Sequence, residues 1–413
     1  MSSTSSPIRD AGTGQSTLSA PEAFSQERIP LSNLMALAAA TFMTVLTEAL
    51  PAGILPLMSN DLAVSDALIG QLVSIYAIGT LLTAIPLTAA TQGIRRRPLL
   101  LVAIGGFAIV NLVTAVSTSY ALTIGARFFA GIFAGLLWAL VAGYVVRMVP
   151  DKLRGRSMTI AMVGIPLALS IGIPAFTYLA SLTGWRPVFG LMSLLAVILF
   201  LWFSMRLPDF PGQTGDRRLS LAGVVRIPGF RAVLFATFAF VLAHNILYTY
   251  IAPFLVPSRL NGRVDLVLLI FGIVALASIW VVGVLIDRWL RELVLGSTVL
   301  FIAAALVFGT QGANPVAVFV AVVIWGLAWG GASTLFQTAS AKAAGKAADV
   351  AQSMIVTIWN IAMAGGGIIG GLLLENAGVG VFPWAVIVLL VATFVVAWMA
   401  RRHGFPSATQ TKA

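Results

Sequence analysis

Apolar residues are gathered into long runs separated by short polar segments along almost the whole chain. Each run holds roughly 20 or more residues, enough for a helix to cross about 30 Å of hydrocarbon. None shows the period-two alternation of a barrel strand, so each run predicts a membrane-spanning α-helix, which satisfies its own backbone hydrogen bonds. The predicted spans are residues 31–58, 67–92, 98–118, 120–147, 157–182, 186–206, 230–256, 264–286, 292–311, 315–341, 350–374 and 380–400.

Composition supports this pattern. The chain is 59% hydrophobic and 9% charged, with a mean hydropathy of +0.99. A 413-residue globule of that composition could not be solvated. We therefore predict an all-α membrane protein whose main partner is the lipid bilayer. The chain has no cysteine, which excludes disulfides, thiolate metal sites and thiol nucleophiles.

The net charge of +11 could suggest nucleic acid, but the positions of the basic residues favour another explanation. With the N-terminus inside, 21 of the 25 Lys and Arg residues fall in cytoplasmic segments and three outside. Arg127 lies within the membrane. This split follows the positive-inside rule and predicts that both termini are cytoplasmic, with no nucleic-acid partner.

An internal repeat divides the chain into two halves. Residues 40–48 match residues 236–244 at an offset of 196, which pairs Glu48 with His244. The long polar break between the halves is rich in Pro and Gly, as a linker is. We predict a tail at 1–29, a six-helix bundle at 30–206, a linker at 207–229, a second six-helix bundle at 230–402 and a tail at 403–413. Repeated halves are typical of secondary transporters that bind substrate near the membrane midplane.

A second match, at an offset of 195, lies in the loops after predicted helices two and eight. Residues 283–291 read G-x-L-x-D-R-x-x-R, which resembles the cytoplasmic loop motif of the major facilitator superfamily. The resemblance covers nearly all of residues 30–402 and implies that superfamily's fold of 12 helices in two pseudo-symmetric bundles. It also implies gating by Asp287, Arg288 and Arg291. In the first half only Arg96, Arg97 and Pro98 survive, and Gln92 replaces the Asp; simple positive-inside anchoring is the alternative.

Three first-half motifs resemble those of exporters in this superfamily. Residues 127–135 resemble the R-x-x-x-G segment of drug:proton antiporters, and Gly172 with Pro174 belongs to a degenerate form of an exporter Gly-Pro motif that permits a kink. Residues 47–56 with 61–62 resemble the first-helix signature of sugar-efflux, purine-nucleoside-efflux and chloramphenicol-resistance permeases. The resemblance implies a monomeric, proton-coupled exporter of a small organic molecule in the inner membrane, with the proton as coupling ion and no cofactor.

Two charges fall well inside predicted spans, where charged residues are costly and usually functional. Glu48 lies about 15 Å and Arg127 about 10 Å below the same membrane surface, at about 1.5 Å per residue. Burial and a neighbouring guanidinium act on a carboxyl proton in opposite senses, so conformation can switch its protonation. We predict that Glu48 and Arg127 couple transport to protons; a purely structural pair is the alternative. His244 is a second candidate proton group or substrate hydrogen-bonder, with packing as its alternative.

Polar and aromatic residues inside other spans suit a mostly apolar cavity with a few polar fixed points. Packing or an interfacial position is the alternative for each. The candidate substrate-binding residues are Tyr76, Asn111, Trp138, Asn245, Tyr248, Trp325, Trp329, Gln337 and Asn360.

Other classes of protein fit the same residues less well. Gly345–Lys346 lacks the rest of a phosphate-binding loop, and Ser333 lacks the flanking glycine of a serine-protease motif, so we predict no enzyme. Paired intramembrane ligands for a metal ion are absent from the sequence. The open alternative concerns direction: the same architecture could import a metabolite as a proton symporter or a uniporter.

Overall fold

The computed structural model describes residues 30–91, 93–150, 153–212, 225–345 and 348–405. Within these ranges the chain forms helices and no strand. The predicted tail at 1–29, Gln92, most of the predicted linker and the last eight residues of the chain lie outside the described residues. The all-helical prediction is confirmed.

The first half runs from residue 30 to residue 212. Its fifth crossing is broken into three α-helices and a π-helix. The α-helices are α1 (Leu31–Gly53), α2 (Leu55–Leu62), α3 (Asp66–Ala90), α4 (Arg96–Val116), α5 (Tyr120–Met148), α6 (Arg154–Met162), α7 (Gly164–Leu167), α8 (Ile173–Thr183) and α9 (Trp185–Arg206), and the π-helix is Ala168–Gly172.

The second half runs from residue 225 to residue 405. Two short 3-10 helices, Asn261–Arg263 and Val379–Val381, precede the second and last of its long helices. The α-helices are α10 (Phe230–Thr249), α11 (Ile251–Phe254), α12 (Val264–Gln311), α13 (Pro315–Gly330), α14 (Ala332–Ala344), α15 (Ala348–Ala377) and α16 (Phe382–Met399).

The described residues contain eleven helical spans long and apolar enough to cross a membrane, where the sequence predicts twelve. The difference arises in Asn261–Gln311, which has 51 residues. At 1.5 Å per residue it is about 77 Å long, enough for two crossings. Trp289 interrupts it with φ −125° and ψ 27°. The two helices predicted at 264–286 and 292–311 are therefore present, one on each side of the kink at Trp289, and the count of eleven takes them as one span.

The repeat found in the sequence is present in the backbone. Helix α1 breaks at Ile54 and α10 breaks at Tyr250, 196 residues later. A short helix follows each break, and each half then places a non-glycine residue in the left-handed region, Ala63 with φ +52° and Arg259 with φ +58°. The two halves therefore share the position of the helix break and of the left-handed residue, although the residue types at these positions differ.

Candidate functional site

Arg127 is buried in α5 and holds three helices together. Its exposed fraction is 1%. Nε donates to the Leu72 carbonyl oxygen of α3 at 3.3 Å, and Nη2 donates to the Glu48 carbonyl oxygen of α1 at 3.0 Å. Nη1 donates to the Thr47 carbonyl oxygen, and the guanidinium carbon lies 4.8 Å from the centre of the Tyr76 ring. This arginine therefore ties α5 to both α1 and α3.

A proline explains why a donor is needed at this point of α1. Pro51 lies inside the helix and has no N–H, so the Thr47 carbonyl four residues earlier loses its helical partner. Nη1 of Arg127 supplies the missing donor. Because an unpaired carbonyl is costly inside a membrane, the helical proline and the buried arginine depend on each other.

Glu48 lies beside this arginine without pairing with it through its carboxylate. The contact between the two residues is made by the Glu48 backbone. No described ion pair, with nitrogen and oxygen within 4.0 Å, joins the Glu48 carboxylate to Arg127. The carboxylate lies within electrostatic range of Arg127, Tyr76 and, from the second half, Tyr248. The side chain is half-buried. Glu48 thus lies on a helix that contacts the second half, and its carboxylate forms no described ion pair.

Glycine allows α5 to approach α3 closely enough for these contacts. A Cβ at Gly131 would overlap the Tyr76 carbonyl oxygen. Thr80 Oγ1 donates to the Gly131 carbonyl oxygen at 3.1 Å across the same interface. The R-x-x-x-G spacing therefore places the guanidinium and the small residue that brings it within reach on one face of α5.

His244, the repeat partner of Glu48, lies among aromatic rings. Its ring centre is 3.4 Å from that of Trp329 with 5° between the planes, 5.2 Å from Trp325 and 5.1 Å from Tyr248. Phe271 lies 5.8 Å away. His244 is 5% exposed and Trp325 is 0% exposed. The structure thus gathers four of the predicted candidates, His244, Tyr248, Trp325 and Trp329, into one aromatic cluster in the second half.

Two polar atoms of this cluster are buried without a hydrogen-bond partner among the described residues. They are His244 Nδ1 and Trp325 Nε1. Most buried polar atoms in proteins are paired, so each exception calls for an explanation, such as a ligand or a water molecule that binds there.

Three other substrate candidates use their polar atoms within the protein. Tyr76 donates its hydroxyl to the Thr44 carbonyl oxygen at 3.2 Å, and Asn245 Nδ2 donates to the Val241 carbonyl oxygen at 2.9 Å. Asn111 Nδ2 donates to Thr47 Oγ1 at 3.4 Å. All three residues are buried. Their contacts are structural in this conformation.

Trp138, Gln337 and Asn360 are half-buried. Gln337 Nε2 donates to Ser333 Oγ at 2.7 Å, and its Oε1 accepts from Gln352 Nε2 at 2.9 Å. Asn360 Nδ2 donates to the Val356 carbonyl oxygen at 2.9 Å. These side chains keep some contact with solvent, unlike the buried Asn111 and Asn245.

The predicted gating residues of the first half contact a segment that the hydropathy pattern places in the linker. Asp209 Oδ2 lies 2.7 Å from Arg95 Nε, and Asp209 Oδ1 accepts from the Arg97 backbone N–H at 3.1 Å. The Arg96 N–H donates to the Phe210 carbonyl oxygen at 2.9 Å. Asp209 therefore supplies a carboxylate to the loop whose motif position holds Gln92.

In the second half only Arg291 of the three predicted gating residues is buried. It donates to the carbonyl oxygens of Ala397, Trp398 and Phe405 at 3.0, 3.0 and 3.2 Å. Asp287 and Arg288 are exposed, and neither forms a described ion pair. Phe210 and Phe405 are 195 residues apart, so each half binds the segment after its own last helix to this loop.

Gly172 and Pro174 lie at the break in the fifth crossing. The π-helix ends at Gly172 and Pro174 is at the start of α8. A Cβ at Gly172 would meet the Phe42 ring of α1, and a Cβ at Gly272 of α12 would overlap Ser170 in the π-helix. The irregular backbone thus lies where this crossing contacts both α1 and the second half.

The two halves are joined at one end of the bundle, which we call the loop face because it carries residues 54–65 and 250–263. Tyr250 donates its hydroxyl to the Gly367 carbonyl oxygen at 2.7 Å and lies 3.2 Å from the Ala67 carbonyl oxygen. Gln71 Nε2 donates to the Gly367 carbonyl oxygen at 3.1 Å, and Ser74 Oγ donates to the Ala364 carbonyl oxygen at 3.0 Å. These bonds form a seam that joins α3 to α15 at the loop face. Sequence reasoning missed this role of Tyr250.

Comparison with known proteins agrees with this architecture. The family model of the Major Facilitator Superfamily matches residues 37–366. A chloramphenicol efflux pump of Mycobacterium tuberculosis is 30% identical over 360 residues, which are 84% of this chain and 86% of that protein. The purine ribonucleoside efflux pump NepI of Escherichia coli is 26% identical over 338 residues, 81% and 85% of the two chains. The solved structure of a bacterial homolog of the human lysosomal transporter Spinster has a TM-score of 0.74 and 16% identity, over 90% and 96% of the chains.

Proposed function

The chain belongs to the major facilitator superfamily, and from that premise we propose that it exports a small organic molecule by proton-coupled alternating access. It is a multi-pass membrane transporter and not an enzyme. The two relatives named as efflux pumps support export as the direction. The excess of basic residues on one side supports an inner-membrane orientation with both termini in the cytoplasm.

The observation that carries the proposal is the position of Glu48. Its carboxylate lies between the halves, near the charge of Arg127 and the hydroxyl of Tyr248. Arg127 is fixed by three backbone carbonyls, so its positive charge stays in place whichever protonation state Glu48 adopts. A carboxylate that can gain or lose a proton beside a fixed charge is what proton coupling requires.

The seam on the loop face controls which side of the membrane has access to Glu48 in the proposed mechanism. Because α3 and α15 are joined there, we propose that substrate and proton reach Glu48 from the opposite face in this conformation, and the positive-inside rule assigns that face to the cytoplasm. Substrate then enters from the cytoplasm and competes with the proton of Glu48. Opening of the seam releases substrate outside, where Glu48 takes up the next proton.

We test this proposal with purified protein in liposomes that contain a pH-sensitive dye. Chloramphenicol and inosine serve as test substrates, and Glu48→Gln is compared with wild type and with Glu292→Gln, which removes an exposed carboxylate on α12. We expect substrate to move protons in wild type and in Glu292→Gln, and Glu48→Gln to fold normally but move none. Substrate flux without proton movement in wild type would indicate a uniporter, and co-movement of substrate and proton in one direction would indicate an importing symporter.

A further inference from the structure

The aromatic cluster around His244 has no equivalent in the first half. At the offset of 195, Trp325 and Trp329 correspond to Ala130 and Ala134. The second half thus places two indoles at positions where the first half has methyl groups. Packing of the repeated helices does not require these rings, since the corresponding helices of the first half pack without them.

Trp329 is stacked with His244 and is still partly accessible. The imidazole of His244 lies against it at 3.4 Å with 5° between the planes, and Phe240 is nearly parallel to it at 6.1 Å with 4° between the planes. The indole nevertheless remains half-buried. Trp359, also half-buried, stands beside it with ring centres 5.5 Å apart and 45° between the planes. Trp329 and Trp359 therefore form a corner of two aromatic walls, backed by the covered imidazole.

The polar atoms of this cluster complement a ligand with polar edges. Trp325 Nε1 is a hydrogen-bond donor, and Nδ1 of a neutral histidine donates or accepts according to its tautomer. Both atoms are buried and unpartnered among the described residues. A purely apolar ligand would leave both unpaired, whereas a ring with hydrogen-bonding groups at its edge could pair them.

Taking the proposed function as given, we propose that the aromatic corner is the substrate-specificity site and that it binds a planar aromatic or heteroaromatic ring carrying hydrogen-bonding groups. The ring packs against the half-buried indoles of Trp329 and Trp359, and its edge groups pair with the polar atoms that lack a partner, His244 Nδ1 and Trp325 Nε1. Glu48 lies across the interface between the halves, within electrostatic range of Tyr248 of the cluster. One side of the site therefore recognises the ring and the other carries the proton.

The test measures binding to purified protein in detergent by titration calorimetry, with no membrane and no proton gradient. Chloramphenicol and inosine are the aromatic probes, and D-ribose is the non-aromatic probe. We expect the aromatic probes to bind and D-ribose not to bind. Trp329→Ala should weaken aromatic binding roughly 5- to 150-fold, the range for loss of one aromatic stacking partner. Trp329→Phe should retain most of the affinity, and Trp280→Ala, which removes a 72% exposed indole, should leave it unchanged.

A second pair of variants tests the hydrogen bond separately from the stacking. His244→Phe keeps a ring beneath Trp329 and removes Nδ1, whereas His244→Asn places an amide near the same position. We expect weaker binding for His244→Phe than for His244→Asn. Thermal unfolding of each variant shows whether it is folded. If Trp329→Ala is not folded, the comparison of His244→Phe with His244→Asn still tests whether the cluster binds the aromatic probes.

Three outcomes would overturn the inference: neither aromatic probe binds wild type, D-ribose binds as tightly as inosine, or Trp329→Ala and His244→Phe both bind the aromatic probes like wild type. These results are separable from failure of the proposed function. If wild type moves no protons but still binds the aromatic probes through Trp329, the specificity site is supported and the proposed function fails. If Trp329→Ala leaves proton-coupled transport unchanged, the proposed function is supported and the specificity site fails.

Discussion

The repeated halves carry different chemistry at corresponding positions. At offsets of 195 or 196, Glu48 corresponds to His244, Arg127 to Val322 and Tyr76 to Phe271. Close approach is preserved: a Cβ at Gly131 would meet the Tyr76 carbonyl oxygen, and one at Gly326 would meet the Phe271 carbonyl oxygen. The backbone arrangement is shared, while the first half carries a carboxylate and a guanidinium where the second half carries an imidazole and a valine side chain.

One backbone atom accounts for much of this difference. Pro51 in α1 leaves the Thr47 carbonyl without a helical donor, and Arg127 supplies one. The corresponding position in α10 is Leu247, which retains its N–H. Val322 can therefore take the place of the arginine without leaving a carbonyl unpaired. The comparison indicates that the hydrogen bond missing at Pro51 holds the Arg127 guanidinium at α1, and that this places a positive charge beside Glu48.

The largest effect is expected from removing Arg127. Arg127→Met removes three hydrogen bonds of a buried cation and leaves the carbonyl of Thr47 unpaired, so it should lower the free energy of unfolding by about 3–5 kcal/mol. Val322→Ala should cost about 1–2 kcal/mol. Thermal unfolding in detergent measures both.

Restoring the missing N–H sharpens this test. Pro51→Leu imitates Leu247 and gives Thr47 a backbone donor again. The double variant Arg127→Met with Pro51→Leu should therefore be more stable than Arg127→Met alone. Equal melting temperatures for the two would show that Arg127 does not act through the Thr47 carbonyl.

A smaller effect is expected in the loops that bind the segments after α9 and α16. Arg291 is 8% exposed and donates to three carbonyls, so Arg291→Gln should cost about 2–3 kcal/mol. Asp209→Asn disrupts a pair whose Arg95 side chain is 73% exposed, and should cost under about 1 kcal/mol. The two melting temperatures, measured in the same detergent, check the order; a larger loss for Asp209→Asn would contradict it.

The last effect is expected at the seam, where the balance between conformations changes rather than the free energy of unfolding. Tyr250 bonds across the halves, whereas its counterpart Ile54 has no hydroxyl. Tyr250→Phe should shift the balance towards an open loop face by about 1–2 kcal/mol. Because the chain has no cysteine, spin labels at Leu68→Cys and Leu372→Cys, two exposed residues of α3 and α15, report the distance between these helices specifically. Ile54→Val is the matched control, and an unchanged distance distribution in Tyr250→Phe would refute the prediction.

Several candidate site residues can be recognised from the sequence because their type is rare within a membrane span. Glu48 and Arg127 stand out because charges are costly in a membrane, and His244 because the repeat pairs it with Glu48. Their partners do not stand out. Thr47 contributes only its backbone carbonyl, and Asp209 lies in what reads as a polar linker. The sequence does offer one sign that the segment around Asp209 contacts the preceding loop: Phe210 and Phe405, which follow the last helix of each half, are 195 residues apart.

Hydropathy and charge are sufficient for the crossings and for the position of the rare intramembrane groups, because the cost of burying polar atoms in hydrocarbon acts on each residue separately. The superfamily is indicated by the motifs, above all the loop motif at residues 283–291. Which groups meet depends on the packing of distant helices. Arg127 reaches carbonyls of α1 and α3, His244 lies against rings of α12 and α13, and Tyr250 reaches across to α3. Side-chain identity limits what each group can bind, but only the close approach of helices permitted by residues such as Gly131 determines the partner it finds.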